Sequence, residues 1–370
     1  MTKKSKGKVF VGMSGGVDSS VSAALLQKEG YEVIGVFMKV WQPDFLPCTW
    51  REERLDAIRV AAHLGIPLLT WDFEKEYKEE VFDYMIREYK AGRTPNPDVT
   101  CNKEIKFGAF FRRAMAEGAD YVATGHYARV IKGPTSNPNS RGRTLGTEYK
   151  MLAGLDESKD QSYFLWTIGQ DQLSKTFFPI GGFKKTKVRE LAKKFKLPVA
   201  EKKDSQGLCF VGKLDMKDFL AHFMIEKEGS VLNEQGQTIG IHRGAYFYTL
   251  GERRGFTITQ KTTEDTPYYI IAKDLPENTI TVAHKAKIAF DSARTEIKIT
   301  DSSFCRGVFP DVNNNYEARV RYHGEATSCT LKFSENDELT VHFKKPVVVD
   351  RGQSVVFYDK GECLGGGVVT

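Results

Sequence analysis

Nine residues near the start, Gly12-Met13-Ser14-Gly15-Gly16-Val17-Asp18-Ser19-Ser20, have the types and spacing of an anion cradle. Glycines let a backbone approach phosphate oxygens closely, and a following helix offers unsatisfied N–H groups at its positive end. The stretch lacks the GK[ST] ending of a Walker loop, so no lysine is placed for ordinary β/γ-phosphate exchange, and it lacks the GxGxxG spacing of a dinucleotide site. The hydroxyls of Ser14, Ser19 and Ser20 are expected to grip pyrophosphate, with Asp18 ordering the loop or helping to hold Mg2+. Two cysteines offer nucleophilic chemistry. Cys101 ends GRTPNPDVTC just before a helix-patterned run, where the dipole of a helix start favours a thiolate. Cys209 lies in DSQGLCF, a glycine-containing turn directly after a basic segment. Taken singly, each reads more readily as a buried structural thiol. Cys48, Cys305, Cys329 and Cys363 form no CxxC and no Cys/His cluster at zinc spacing, so no metal site is assigned.

The elements that must position these groups follow from periodicity. Residues 8–13 (KVFVGM) form an apolar strand that runs into the glycines, and 17–29 have helical spacing ended by Gly30. Strands are then expected at 31–39, 67–73 and 120–131, with helices at 51–64, 74–90 and 102–117. Strands alternating with crossover-length helices predict an α/β fold with a doubly wound parallel sheet. Ligands in such sheets bind beyond the carboxyl ends of the strands, where Ser14, Met38 and Gly125 all fall, so three separated segments can converge on one crevice. Residues 132–147 are a polar excursion that carries no reading, and 161–196 return to helical patterns. A helix is expected over 216–223. From about 288 onward, runs such as TEIKIT, YEARVRYH, TSCTLKF, LTVHF and SVVFYD alternate in the β manner.

At 370 residues the chain is expected to hold two or three units, and changes of pattern near 208 and 285 divide it into 1–207, 208–285 and 286–370: an α/β unit, a small central unit and an all-β, barrel-like module. With 41% hydrophobic and 28% charged residues it can bury cores, which excludes disordered and collagen-like classes. No apolar run approaches the roughly 20 residues of a membrane span, and the start MTKKSKGK is neither arginine-rich nor amphipathic, so a cytoplasmic protein with no membrane partner is expected. The net charge of +6 is unevenly placed: residues 286–370 are nearly neutral, whereas 183–203 hold nine Lys or Arg against two Glu. That run is either a solvated face or a surface that meets phosphates.

SGGVDSS after a first parallel strand resembles the PP-loop of the N-type ATP pyrophosphatases, which cleave ATP between the α- and β-phosphates and attach AMP to an oxygen of their substrate. The resemblance implies that Gly12, Met13, Ser14, Gly15, Gly16, Val17, Asp18 and Ser19 bind ATP, with Met38 and Gly125 flanking adenine and ribose. GMSGGVDSSV, GRTPNPD followed by CNKEIKF, ATGHYAR, DESKDQSYFL, KKDSQGLCF and the closing LGGG further resemble, in order over residues 11–367, the tRNA-specific 2-thiouridylase family (MnmA, also TrmU). That likeness implies ATP-dependent replacement of the C2 oxygen of the wobble uridine by sulfur in tRNAs for Lys, Glu and Gln. In the family the counterpart of Cys209 accepts persulfide sulfur from a donor protein, that of Cys101 is the partner nucleophile, and that of Asp98 is the acid or base beside the base. It also implies tRNA contacts at Asn96, Pro97, Asp98, His126, Lys159, Asp160, Gln161, Arg321, Tyr322 and Gln353. Bottom-up, a phosphate contact from Asp160 is implausible on charge, and His126 alone reads more readily as a strand-end hydrogen-bonding residue. Two other readings compete: a PP-loop enzyme that adenylates a different acceptor, which does not require the two cysteines, and an ATP-regulated RNA-binding protein without turnover.

Overall fold

The computed structural model describes residues 5–46, 49–134, 147–204, 215–260, 267–284, 293–333 and 338–370. Cys48, Cys209 and the expected divisions at 207/208 and 285/286 lie outside them. The chain opens with four parallel strands, β1 (Lys8–Gly12), β2 (Glu32–Lys39), β3 (Leu68–Asp72) and β4 (Tyr121–Ala123). A hairpin follows, β5 (Ala128–Pro134) with β6 (Thr147–Ala153), and then a two-residue strand β7 (Thr176–Phe177) returns to the first sheet. The resulting order is β3-β2-β1-β4-β7, all parallel. Both faces are covered. Val9 and Val11 of β1 pack toward α1 (Val17–Glu29) and α2 (Trp50–Leu64), while Phe10 between them packs with Trp71, Met85 and Phe110 on the other face. That alternation explains why β1 reads as a continuous apolar run.

The expected single strand over 120–131 is two strands in two sheets. Thr124 to Tyr127 break it, and β5 turns away to pair antiparallel with β6. The expected helix at 102–117 begins earlier: an α-helical turn, Pro97–Thr100, leads into a π-helical stretch, Cys101–Ala109, and then Phe110–Ala116. Within 161–196 the main helix is Lys185–Lys194.

The second unit carries β8 (Gly229–Leu232), β9 (Thr238–His242), β10 (Thr257–Ile258), β11 (Tyr268–Asp274) and β12 (Thr279–His284), in the order β10-β9-β8-β12-β11. Its Phe219 and Phe247 share one apolar cluster with Tyr77 and Met85 of the first unit. The last unit is a closed antiparallel circuit of β13 (Arg294–Phe304), β14 (Tyr316–Arg319), β15 (Thr327–Phe333), β16 (Leu339–Val347), β17 (Ser354–Asp359) and β18 (Glu362–Val369), sealed by pairing of β13 with β18. Closure removes the open edges of the sheet. The hairpin from the first unit joins this barrel, with Leu152 opposite Glu362 and Met151 opposite Cys363. Among the described residues no helix is long and apolar enough to cross a membrane.

Candidate functional site

The loop from Met13 to Gly16 leaves β1 at the point where the strand order reverses, between β1 and β4. Gly15 has φ +70, and a Cβ there would stand 2.2 Å from the Glu53 carbonyl oxygen, so only glycine fits. Gly16 caps α1 without a side-chain partner, which leaves the first N–H groups of the helix to an incoming anion. Ser14 is exposed, and its hydroxyl lies 3.4 Å from that of Ser19. Ser20 does not face the cradle as expected: it is fully buried and donates to the Gly16 carbonyl at 2.7 Å. Two other strand ends meet this loop. The Met38 methyl would be 3.0 Å from a Cβ on Gly12, and a Cβ on Gly125 would be 2.7 Å from the Ser19 nitrogen. Gly125 is therefore glycine because the turn after β4 lies directly on the start of α1.

Asp18 is engaged on both oxygens. The Tyr127 hydroxyl donates to Oδ1 at 2.9 Å, and Lys185 Nζ lies 2.9 and 2.8 Å from Oδ1 and Oδ2. Burial and then Asp18 itself push the Tyr127 phenol up, so it remains a donor. Lys185 also reaches Asp204 at 2.8 Å, which Arg189 and Lys159 join. Burial alone would raise the Asp204 carboxyl, but these cations outweigh it and hold it below the usual range. On the far side of the loop Lys202 donates to the Gly15 carbonyl at 3.1 Å and to Asp56 at 2.8 Å. Part of the basic run thus turns inward on the phosphate loop, while Lys184, Lys193 and Lys194 stay exposed. An ion at Asp18 would have to displace Lys185, and among the described residues no three His, Cys, Asp or Glu side chains gather as a metal site.

The second set of groups hangs on the helix that begins at Pro97. Asn96 is its N-cap, with Oδ1 accepting from the Val99 amide at 3.2 Å, and Pro97 takes the first position. Asp98 therefore sits in the first turn, and Cys101 is one turn inside rather than at the helix start, so its thiol lacks the dipole stabilisation expected of it. Cys101 is buried, at the edge of the apolar cluster that holds Tyr89 and Phe110. Burial raises the Asp98 carboxyl above its ordinary range, and the Lys106 charge opposes the rise. Lys106 Nζ also lies 3.3 Å from Nε2 of His126, whose Nδ1 is 2.7 Å from the Thr124 hydroxyl. Since an ammonium only donates, Nε2 must accept, and the one proton of a neutral ring sits on Nδ1. Burial first, and then Lys106, hold His126 well below its usual range. Ser19, Gly125, His126 and Lys106 thus form one continuous path from the phosphate loop to the helical stretch that carries Asp98 and Cys101.

Three family models tile the chain: a tRNA methyl transferase HUP domain over residues 7–213, a tRNA methyl transferase PRC-barrel domain over 217–284 and an aminomethyltransferase β-barrel domain over 294–369. A protein of Listeria monocytogenes serotype 4b named tRNA-specific 2-thiouridylase MnmA is 45% identical over 100% of this chain and 96% of its own length. Its namesake in Bacillus velezensis is 46% identical over 98% of this chain and 94% of its own, and that of Streptococcus mutans 44% over 100% and 96%. This chain belongs to the MnmA family of tRNA-specific 2-thiouridylases. A solved 4-thiouridine synthetase–RNA complex with bound ATP covers 58% of this chain and 50% of its own at 20% identity and TM-score 0.36, too slight a likeness to carry weight.

Several residues that the MnmA resemblance assigned to tRNA have partners within the protein. His126 is buried with both nitrogens engaged. Asp160 is 3% exposed, and its carboxylate accepts from the Gly154 and Ser162 amides, the Ser162 hydroxyl and Arg319 of β14, so it joins the first unit to the barrel. Gln161 accepts from the Tyr127 amide at 3.0 Å, and Pro97 is buried. Lys159 is half-exposed beside Asp204. Arg321 and Gln353 line a cleft with Tyr89, Lys217, Thr249 and Glu252, although the Gln353 carbonyl is taken by the Asp350 amide. The Tyr322 ring lies tilted against those of Phe164, at 4.4 Å, and His323, at 3.9 Å. Cys209 lies outside the described residues. Tyr127 and Lys106 escaped the sequence reading, and Lys185 entered it only as part of the basic run 183–203; helical spacing from Asp98 into CNKEIKF would have pointed to Lys106.

Proposed function

We infer that this chain is an ATP-dependent tRNA-specific 2-thiouridylase that replaces the C2 oxygen of the wobble uridine by sulfur in tRNAs for Lys, Glu and Gln. The structural observation that supports this reading is the path from Ser19 through Gly125 and His126 to Lys106, which ties the phosphate loop to the helical stretch that carries Asp98 and Cys101. The amides of the loop and the start of α1 hold the polyphosphate, with Met38 and Gly125 at the nucleoside end. Mg2+ enters bound to the nucleotide, since Asp18 is committed to Lys185 and Tyr127.

Uridine O2 attacks the α-phosphorus, the bond from that phosphorus to the bridging oxygen breaks, and pyrophosphate leaves. Asp98 accepts the N3 proton as the new bond forms. A donor protein's persulfide supplies sulfur to Cys209. The Cys101 thiolate then attacks the inner sulfur of Cys209 and releases the outer one onto C2, which expels AMP and leaves a Cys101–Cys209 disulfide for an external thiol to reduce. Arg321, Tyr322, Gln353, Lys159 and the loop at Asn96 face the anticodon. The segments 1–207, 208–285 and 286–370 act as the catalytic, central and barrel domains, and a reducing cytoplasm suits the thiol chemistry. Incubation with tRNA, ATP, Mg2+ and a persulfide protein, followed by nucleoside mass spectrometry, should yield 2-thiouridine with AMP and pyrophosphate. Products of ADP and orthophosphate, or full thiolation by Cys101→Ser or Cys209→Ser, would sink the reading.

A further inference from the structure

The phosphate loop contains a peptide whose orientation its own residues do not fix. Turning a peptide plane over changes ψ of the residue before it and φ of the residue after it, and between Gly15 and Gly16 neither residue has a Cβ to resist. The direction of that plane decides what the cradle presents. In a trans peptide the carbonyl and the N–H point opposite ways, and among the described residues no peptide is cis. One orientation offers the Gly16 N–H to an anion, whereas the other offers the Gly15 oxygen, which repels it.

The plane is held from behind. Lys202 Nζ donates to the Gly15 carbonyl at 3.1 Å and to Asp56 Oδ2 at 2.8 Å, and Asp56 Oδ1 accepts from Arg59 at 3.1 Å, so the ammonium is anchored on α2. Gly15 is buried, and Lys202 is the one partner of its carbonyl among the described residues. The N–H of Gly16, the half-buried N-cap of α1, meets no acceptor among them.

We propose that Lys202 is a positioning residue of the phosphate loop: by holding the Gly15 carbonyl away from the cradle, it aims the Gly16 N–H at the pyrophosphate portion of ATP. The proposal rests on the reading of this loop as an ATP site and not on what is adenylated. Lys202 acts through the peptide and not by touching phosphate, so a loop without a lysine of its own still depends on one. Without the ammonium, the Gly15 oxygen is left in the interior with no donor, and turning toward the cradle returns it to water. A bond unmade at a buried carbonyl favours that turn by roughly 10- to 100-fold in population, and apparent affinity falls with the competent fraction.

The test uses the full chain with Lys202→Met, which removes the ammonium and keeps the length, and Lys202→Arg, which restores a cationic donor. Calorimetric binding of pyrophosphate, ATP, AMP and adenosine is measured without tRNA, at about 0.1 M and about 1 M salt, where the Debye length falls from about 10 Å to about 3 Å and the bare loss of a charge is screened. Lys202→Met should bind pyrophosphate and ATP about 10- to 100-fold more weakly at both salts and hold AMP and adenosine within about twofold. Lys202→Arg should recover most of the affinity. In parallel the Gly16 amide is followed by NMR, and pyrophosphate should shift it strongly in the wild type and weakly in Lys202→Met. An equal loss for all four ligands, a loss that disappears at high salt, or an unchanged affinity for pyrophosphate overturns the proposal. So does a wild-type Gly16 amide that pyrophosphate leaves in place, a result that needs no variant to fold. A wild type that binds pyrophosphate at Gly16 yet makes no 2-thiouridine counts against the thiouridylase reading alone.

Discussion

The Lys273–Asp350 ion pair should be the most costly single contact to break in this molecule. Lys273 of β11 and Asp350 of the barrel are only 8% and 4% exposed, and their charged atoms lie 2.6 Å apart. Lys273 also donates to the Gly92 carbonyl at 3.0 Å and to the Tyr248 carbonyl at 2.9 Å, so one ammonium holds all three units. Asp350 Oδ2 accepts in addition from the Thr94 hydroxyl at 3.2 Å and the Leu250 amide at 3.1 Å, and the Thr94 amide donates to the Arg351 carbonyl at 2.7 Å. Lys273→Met leaves a buried carboxylate with neutral donors alone, a change that costs about 3–5 kcal/mol. Replacing both partners by apolar groups should recover most of that loss, since neither charge is then stranded. Because a chain of three units need not unfold in one step, the assay is hydrogen exchange at the Thr94 amide, which reports the local opening. Its protection should fall by roughly 10²- to 10⁴-fold in Lys273→Met and recover in the double variant. A loss below about tenfold, or a double variant worse than the single one, would show that the pair does not hold the loop before Asp98.

Three further outcomes follow from the site. Asp18→Asn should lower tRNA-dependent pyrophosphate release on the order of 10²-fold by freeing Lys185, with the fold intact by circular dichroism; retained activity would leave Asp18 without a direct role. Lys184, Lys193 and Lys194 reversed to Glu should weaken every tRNA alike and reduce the salt slope of binding by about 0.7–0.9 for each phosphate no longer neutralised, whereas unchanged affinity returns that face to plain solvation. Acid should destabilise the chain through His126: its pKa is depressed in the folded state, so below 6.5 the unfolded state binds a proton that the folded state does not. Stability present above 6.5 is therefore lost as pH falls, by up to about 1.4 kcal/mol per pH unit, and urea titrations of His126→Asn should show a shallower loss if this is right.

Much of the first unit was legible because its signals are local. The expected helix at 17–29 matches α1, and the strand expected at 31–39 is β2, since apolar runs and glycine stops sit next to each other in sequence. The split after β4 was not legible: ATGHYAR is apolar enough to continue a strand, and only the contact of Gly125 with α1 forces the turn. The strand β18 hid behind three consecutive glycines, which weaken a strand but here let it pass close to Trp166, 3.1 Å from where a Cβ on Gly366 would stand. Among the site residues, the loop from Gly12 to Ser19 could be read from its composition. The partners of Asp18 and Asp98 could not, because Lys185 lies 167 residues from Asp18 and was counted with a basic run whose direction only packing decides. The partners of His126 and Asp160 were out of reach for the same reason: sequence shows a polar side chain but not the donors that surround it.

The hairpin that the first unit lends to the barrel sets a timetable for synthesis. Met151 lies opposite Cys363, more than two hundred residues later. At the usual pace of about 5–20 residues per second, the outer edge of that hairpin waits on the order of ten seconds or longer for its neighbour. During that wait an unpaired strand edge is exposed to other nascent chains. Removing β18 should therefore damage the amino-terminal half as well as the barrel, and β18 must leave the ribosome before the early hairpin is fully paired.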